Sequence, residues 1–373
     1  MKKYVVIGAG ILGASAAYHL AKAGAAVTVI DRKDPGQATD AAAGIICPWL
    51  TQRRNKAWYA LAKGGAAYYQ TLIKELEKDG ETETGYEKIG AVSLHIDPAK
   101  LEKMEERAVK RRESAPEIGE IVQMSPEQTS ELFPPLANEY ASVYVSGAAR
   151  VDGRELRDAL LRSAEKHGAE LVNGSAELVS DGTVVKGVKA TERYYEAESV
   201  IVAAGAWAGE LFKPLGIHLD VKPQKAQIIH LQLENVETEK WPVVMPPNNQ
   251  YILAFDGGRV VIGATHEDDR GYDLRATAGG LHEILDKALT IAPGLSDGAF
   301  TEVRVGFRPY TPGFLPIIGE VPGFKGLYLS NGLGASGLTA GPFLGAQLAK
   351  LALGKEADID LELYDPSRAI KKV

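Results

Sequence analysis

The amino-terminal glycines have the type and spacing of a dinucleotide-binding turn. Residues 8–13 read Gly-Ala-Gly-Ile-Leu-Gly, the pattern G-x-G-x-x-G, between an apolar run at residues 4–7 and a predicted helix over residues 11–23. The first glycine of this pattern makes the tight turn, the second lets the backbone approach a pyrophosphate, and the third lets helix and strand pack closely. The start of the helix adds free N–H groups and a partial positive charge for the phosphates. The candidate phosphate-binding residues are Gly8, Gly10, Ile11, Leu12 and Gly13.

An acidic residue follows where such a site needs one. Residues 26–30 read as a second strand, and Asp31 ends it, in the position where a carboxylate binds a ribose hydroxyl. Arg32 follows and is included among the candidate cofactor-binding residues. A purely structural glycine turn is the alternative, but it does not explain why strand, glycines, helix, second strand and acid occur in this order. The order therefore predicts a dinucleotide-binding site.

Three later segments extend this prediction beyond the first strand–helix–strand unit. Residues 38–46 are mostly small, residues 200–207 form an apolar strand followed by a glycine, and residues 331–339 form a glycine-rich turn that opens the last helix. Glycine lets a ligand come close to the backbone, although close helix packing or a docking turn would use the same residues. These segments favour FAD over NAD, and the residues taken alone leave both cofactors open.

In this order, the segments resemble the D-amino-acid oxidase family of flavoproteins, and especially its glycine oxidase and sarcosine oxidase branch. The resemblance covers nearly the whole chain and is weakest over residues 80–140. It rests on the amino-terminal glycines, Ala43-Gly44-Ile45, Ala204-Gly205-Ala206-Trp207, Gly306-Phe307-Arg308-Pro309 and the closing glycine-rich helix. Membership in this family would imply FAD as the cofactor.

The resemblance also implies positions for residues around FAD. Asp31 would hold the adenosine ribose, the backbone near Glu177 would meet the adenine, and residues 38–45 would line the ribityl chain and the flavin. Residues 333–339 would border the isoalloxazine ring. The expected contacts beyond the first turn are Ala38, Thr39, Ala43, Gly44, Ile45, Glu177, Ala204, Gly205, Trp207, Leu333, Gly334, Ala335, Ser336, Gly337, Leu338 and Thr339.

Three residues are candidates for the substrate site. Arg308 lies close in sequence to the glycine-rich turn, and the resemblance implies that its guanidinium binds a substrate carboxylate, whereas an arbitrary arginine more often forms a surface ion pair. Tyr251 stands where the family often has a tyrosine that reaches the same carboxylate; the alternative is a half-buried aromatic residue of a sheet. His266 follows a predicted strand and either lines the pocket or is solvated.

The sequence also departs from the relatives it resembles. Glycine oxidase-like proteins can place a second polar or basic residue in the final loop, where this chain has Ala335-Ser336. This difference predicts a roomier or more apolar pocket. Sarcosine oxidases attach FAD through a cysteine in the carboxyl-terminal region, whereas the single cysteine of this chain is Cys47. We therefore expect non-covalent FAD.

The composition argues against several other classes of protein. The 42 Lys and Arg against 49 Asp and Glu give a net charge of −7, so we expect no nucleic-acid partner. No segment reaches the ~20 consecutive apolar residues of a membrane span. The one cysteine and seven histidines have no recognisable metal spacing. A lone cysteine fits a reducing cytosol, and Lys2-Lys3 resembles a secretory signal only weakly, so we expect a cytoplasmic protein. The sequence leaves an oligomer open.

The predicted fold class is α/β: a Rossmann-like FAD-binding domain interleaved with an α+β substrate domain built on an antiparallel sheet. A hairpin signal, Asp256-Gly257-Gly258 between two predicted strands, is the main evidence for that sheet. The FAD-binding domain is expected to comprise residues 1–80, 141–220 and 300–373, and the substrate domain residues 81–140 and 221–299.

The reaction implied by the resemblance is oxidation of the carbon–nitrogen bond of a small amino acid or amine. A hydride would pass from the carbon bearing the amine to the flavin, and the imine would hydrolyse to a keto acid or aldehyde. Oxygen would accept the electrons and give hydrogen peroxide. Three alternatives remain open: a dehydrogenase that uses a quinone or protein acceptor, an NAD-dependent dehydrogenase, and a flavin-binding subunit without catalysis.

Overall fold

The computed structural model describes residues 2–372, in which strands and helices alternate as expected for an α/β protein. The strands are β1 Lys3–Ile7, β2 Ala26–Asp31, β3 Ile45–Ile46, β4 Ala91–His95, β5 Ile121–Met124, β6 Ala141–Val145, β7 Ala149–Arg150, β8 Glu170–Asn173, β9 Glu177–Asp181, β10 Val184–Ala190, β11 Arg193–Glu196, β12 Ser199–Val202, β13 Ile217–Leu219, β14 Lys222–Gln232, β15 Val243–Met245, β16 Tyr251–Ala254, β17 Arg259–Gly263, β18 Ala299–Tyr310, β19 Ile317–Glu320, β20 Leu327–Asn331 and β21 Ile370–Lys372. The α-helices are α1 Ile11–Lys22, α2 Lys56–Lys78, α3 Pro98–Arg112, α4 Pro126–Leu132, α5 Gly153–Lys166, α6 Ala208–Phe212, α7 Ala278–Ile291 and α8 Gly337–Ala352.

A six-stranded sheet carries the amino-terminal turn. Its order is β19-β20-β12-β1-β2-β8, and every neighbouring pair is parallel except β19 and β20. The central strand β1 is buried from Tyr4 to Ile7, because helices cover one face of the sheet, whereas strands β9 to β11 and helix α6 cover the other. A strand that is buried on both faces has an unbroken apolar sequence. Helices α1, α5 and α8 pack on the face that carries Tyr4 and Val6. The carboxyl ends of these strands therefore meet at one edge, where ligands bind in this kind of fold.

An eight-stranded sheet forms the second half of the fold. Its order is β18-β14-β17-β16-β15-β4-β6-β5, and only β15 and β4 pair in parallel. Ile229, Ile252 and Ile262 on one face share a core with Ile284 of α7. Because side chains alternate along a strand, the opposite face carries Tyr251, which lines a cleft between this sheet and the first.

Capping side chains set where two helices begin. The Asn55 side chain accepts a hydrogen bond from the backbone N–H of Trp58 at 2.9 Å, and α2 begins at the next residue. Asp152 accepts from the backbone N–H of Arg154 at 3.0 Å at the start of α5. Such caps satisfy N–H groups that have no partner inside the helix.

The predicted α/β fold class is confirmed, and most predicted elements occur with ends shifted by a few residues. The boundaries predicted at residues 141 and 300 nevertheless do not follow the sheets. Strand β6 pairs with β4 and β5, and β18 pairs with β14, so both belong to the eight-stranded sheet and not to the one that holds the dinucleotide turn. The reason is that hydrogen-bond partners distant in sequence decide which sheet a strand joins.

Candidate active site

A long cleft runs between the two sheets, and all the predicted glycine-rich segments contribute to its wall. The cleft encloses about 1610 Å³, including space open to solvent. Its lining runs from the glycine turn at residues 8–13 to Arg308, so the cleft can hold an extended ligand together with a small substrate.

The first turn of the cleft has the geometry that its glycines predict. Gly8 has a φ of +101°, in the left-handed region that favours glycine. A Cβ atom on Gly13 would lie 1.8 Å from the carbonyl oxygen of Gly8, so helix α1 could not approach β1 this closely with any other residue. Gly10, the residue before α1, has no side chain of its own to cap the helix. The turn thus presents backbone to the cleft, as a pyrophosphate requires.

Asp31 organises the same turn from the end of β2. Its Oδ2 accepts a hydrogen bond from the backbone N–H of Ala9 at 2.6 Å, and its Oδ1 accepts from the side chain of Gln37 at 2.9 Å. Asp31 also lies in the cleft wall. The carboxylate thus holds the glycine turn in place from the end of β2.

The segment at residues 38–45 is held in place from two sides. Thr39 Oγ1 accepts a hydrogen bond from the backbone N–H of Ile11 at 3.0 Å, and the Gly44 carbonyl accepts from the backbone N–H of Val151 at 2.9 Å. The small residues between these points lie in the wall. The run of small side chains therefore keeps the cleft wide beside α1.

The carboxyl-terminal turn closes the cleft from the other side. The Asn331 side chain donates a hydrogen bond to the Gly205 carbonyl at 2.9 Å, and Thr339 Oγ1 donates to the Ile45 carbonyl at 3.0 Å. A Cβ atom added to Gly205 or Gly337 would meet no other atom within 4 Å. These backbone positions leave open space for a flat ring, so the residues present fit FAD.

Arg308 is a partly buried cation in the cleft wall that bonds to neutral groups. It lies opposite Gln224 of β14, and its Nη1 donates to Gln224 Oε1 and to the Thr265 carbonyl, each at 3.3 Å. No carboxylate in the described part of the chain lies within 4.0 Å of this guanidinium. Burial lowers the pKa of Arg308, but an arginine in a protein keeps its charge. Arg308 is therefore positioned to bind a carboxylate that the protein itself does not supply.

Tyr251 lines the same cleft and adds a neutral hydrogen-bond donor. Burial raises the pKa of its hydroxyl to about 12, and the positive charge of Arg308 opposes that rise. The hydroxyl therefore keeps its proton at neutral pH and can donate a hydrogen bond to a carboxylate oxygen.

The structure brings most of the predicted residues together. The predicted residues that line the cleft are Gly8, Gly10, Ile11, Leu12, Asp31, Arg32, Ala38, Thr39, Ala43, Gly44, Ile45, Ala204, Gly205, Trp207, Tyr251, Arg308, Leu333, Gly334, Ala335, Gly337, Leu338 and Thr339. Those that do not line it are Gly13, Glu177, His266 and Ser336.

The four residues outside the wall have identifiable positions. Gly13 acts through helix packing, as described above. His266 is exposed, and its neighbour Thr265 supplies the carbonyl that Arg308 binds. Glu177 is exposed at the start of β9, and the residues that line the cleft there are 174–176, just before it. Ser336 is buried, and its Oγ accepts a hydrogen bond from the indole N–H of Trp58 at 2.9 Å.

Sequence reasoning missed several residues of the wall. Residues 174–176 follow β8, so the rule that ligands bind beyond the carboxyl ends of parallel strands would have indicated them. Ala226 of β14 had no comparable local signal. It lies in the wall because β14 pairs with the distant strand β18 there.

A family model described as FAD dependent oxidoreductase (DAO) matches residues 3–351. The chain belongs to this family. The resemblance inferred from the sequence is thus confirmed, as are FAD as the cofactor and an oxidoreductase activity on carbon–nitrogen bonds of amino acids or amines.

Three relatives illustrate the range of similarity within this family. The chain is 63% identical over 371 residues to the uncharacterized oxidoreductase YurR of Bacillus subtilis, covering 99% of this chain and 100% of that protein. It is 32% identical over 375 residues to glycine oxidase of Pseudomonas aeruginosa, covering 98% of this chain and 99% of that protein. The crystal structure of iminodiacetate oxidase (IdaA) from Chelativorans sp. BNC1 superposes with a TM-score of 0.94 at 48% identity, covering 97% of this chain and 98% of the other.

Two negative findings apply to the part of the chain that the structure describes. Within residues 2–372, no helix is long and apolar enough to cross a membrane. No group of three or more His, Cys, Asp or Glu side chains among these residues could hold a metal ion.

Denaturing the protein is expected to release its FAD. Cys47 lies buried in the main core and outside the cleft wall, and burial raises the pKa of its thiol to about 12. A protonated, buried thiol is a poor nucleophile. Acid or heat precipitation followed by absorbance of the supernatant checks this expectation, and a yellow pellet with a colourless supernatant would contradict it.

Proposed function

We propose that the protein oxidises the carbon–nitrogen bond of a small amino acid with a substituted nitrogen, an N-carboxymethyl amine such as sarcosine or iminodiacetate, with oxygen as the electron acceptor. The observation that carries the proposal is the partly buried guanidinium of Arg308, which bonds to neutral acceptors in the cleft beside Tyr251. A desolvated cation without a counter-charge is costly, and a substrate carboxylate would provide that charge. Two parallel hydrogen bonds would also orient the substrate.

The preference for a substituted nitrogen rests on the shape of the wall. Ala335 and Ala226 line the cleft with small apolar side chains. The neighbouring hydroxyl, that of Ser336, is already engaged by Trp58 and does not face the cleft. The wall therefore leaves space beside the amine, and the similarity to an iminodiacetate oxidase supports the same substrate class.

The protein side chains bind and orient the substrate. Arg308 and Tyr251 would hold the carboxylate, which fixes the direction of the neighbouring carbon–hydrogen bond. The bound FAD supplies the hydride acceptor. Because the amine reacts in its unprotonated form, we assign no side chain as a base. The imine formed from an N-carboxymethyl amine then takes up water and gives glyoxylate and the free amine.

Anaerobic reduction of the flavin by a panel of substrates tests the substrate class. Sarcosine and iminodiacetate are expected to bleach the flavin at least tenfold faster than glycine at equal concentration, because only they place a substituent in the apolar space beside the nitrogen. Stopped-flow absorbance measures the rates, with proline and D-alanine as further members of the panel. Faster bleaching by glycine or D-alanine would contradict the proposed preference.

A separate measurement tests the electron acceptor. With oxygen as the acceptor, hydrogen peroxide should form in a one-to-one ratio with glyoxylate. If reduced flavin persists in air and is reoxidised by a quinone or a dye, the protein is a dehydrogenase.

A further inference from the structure

A second cavity lies outside the cleft, between the chain that leads into α2 and one face of α3. Its volume, including space open to solvent as for the cleft, is about 630 Å³. Five cationic side chains line it, and no acidic side chain does. These five are Arg53, Arg54, Lys56, Arg107 and Arg111. We call them the basic cluster.

The basic cluster has no counter-charge of its own in the described part of the chain. None of its members comes within 4.0 Å of a carboxylate there. Surface cations elsewhere in the protein are commonly paired, as Lys22 is with Glu75 and Arg193 is with Glu170. Several like charges around one cavity repel one another, so the arrangement favours a bound anion.

The two arginines of α3 form the inner side of the cavity. Arg107 and Arg111 are one helical turn apart, so their side chains share a face. Arg111 is held in place, because its Nη1 donates to the carbonyl of Thr51 at 2.7 Å and its guanidinium stacks on the ring of Tyr59 at 4.4 Å. The Nε of Arg107 is buried and has no hydrogen-bond partner. A buried donor without a partner is costly, and a bound anion would satisfy it with a charge-assisted hydrogen bond.

We propose that the basic cluster is a binding site for a compact dianion, a phosphate or a dicarboxylate, and that its occupancy is transmitted to the flavin side of the cleft through Trp58. The site is separate from the one occupied by the substrate carboxylate, because Arg308 belongs to the other cavity. This inference requires the FAD cleft but does not depend on which amine is oxidised.

Trp58 provides the connection between the two cavities. The guanidinium of Arg53 lies over its indole ring, 4.5 Å from the centroid. The indole N–H donates to Ser336 Oγ at 2.9 Å, and Ser336 belongs to the turn whose residues Gly334 and Ala335 line the cleft. An anion that draws the guanidinium of Arg53 away from the indole ring and toward the centre of the cavity would change this stack and therefore the environment of the turn.

Binding is tested with the FAD-loaded protein at constant ionic strength. Isothermal titration calorimetry with inorganic phosphate and, in a second series, with succinate should give saturable binding of at least one of them. The anion that binds more tightly shows whether the site prefers a phosphate or a dicarboxylate. The double variant Arg54→Gln/Arg107→Gln should weaken that binding at least tenfold, since it removes two of the five charges and retains the structural Arg111.

The matched control is Lys103→Gln/Lys110→Gln. It removes two charges from α3 at exposed positions outside the cavity. This control should bind the anion as the unmodified protein does. Failure of both anions to bind, or equal weakening in the control, would overturn the proposal, because bulk charge would then account for the effect.

The connection through Trp58 has its own test. In the unmodified protein, the bound anion should shift the visible absorbance of the flavin. Trp58→Phe keeps a ring for Arg53 and removes the N–H group that reaches Ser336, so anion binding should persist while the shift disappears. A shift that is absent in the unmodified protein, or that survives in the variant, would overturn this part of the proposal.

Discussion

Replacing Arg308 by alanine is expected to weaken the binding of carboxylated substrates by a factor of roughly thirty to several thousand while FAD stays bound. Loss of one partner of a desolvated charge pair typically costs ~2–5 kcal/mol, which gives this range. Arg308→Lys should recover part of the loss, because lysine keeps the charge and lacks the planar fork. The dependence of anaerobic flavin reduction on substrate concentration measures the effect.

Arg304→Ala is the matched control for this experiment. Arg304 lies on the same strand, β18, but it already pairs with Glu302 and does not line the cleft. Its loss should change substrate affinity little, because its side chain does not reach the cleft. An amine without a carboxylate should be nearly indifferent to Arg308→Ala. If Arg308→Ala weakened the binding of such an amine equally, Arg308 would have a structural role.

Replacing Asp31 by alanine is expected to weaken FAD binding by about ten- to a hundredfold without unfolding the chain. A hydrogen bond to a charged group contributes about 1.5–3 kcal/mol, which corresponds to this range for the ribose. The structure adds a second cause, since the same carboxylate accepts the N–H of Ala9 and so holds the glycine turn. Fluorescence titration of the protein stripped of FAD measures the affinity, and circular dichroism reports folding.

Asp97→Ala is a suitable control, because Asp97 also accepts a backbone N–H, at the start of α3, and lies outside the cleft. It should retain normal FAD affinity. Asp31→Asn keeps an acceptor for the N–H of Ala9, so its FAD affinity should lie between that of Asp31→Ala and that of the unmodified protein. Unchanged FAD affinity in Asp31→Ala would show that this carboxylate does not bind the ribose.

The local parts of the cofactor site could be predicted from the sequence. The glycine turn at residues 8–13 and the acid at Asp31 depend on conformation and contacts within one strand–helix–strand unit, so their spacing carries the information. The hairpin of β16 and β17 was predictable for the same reason, because its turn residues are adjacent. The resemblance to the family then located Arg308 and Tyr251.

The tertiary structure decided which distant groups meet. Only the pairing of β18 with β14 shows that Arg308 bonds to neutral acceptors, and only helix packing brings Trp58 to Ser336. In the tertiary structure, His266 lies outside the cleft wall, and β6 and β18 belong to the eight-stranded sheet. The basic cluster likewise joins two segments that are about fifty residues apart in the sequence. Spacing along the chain fixes local turns, whereas the partner of a strand or a charged side chain depends on which distant surfaces become buried together.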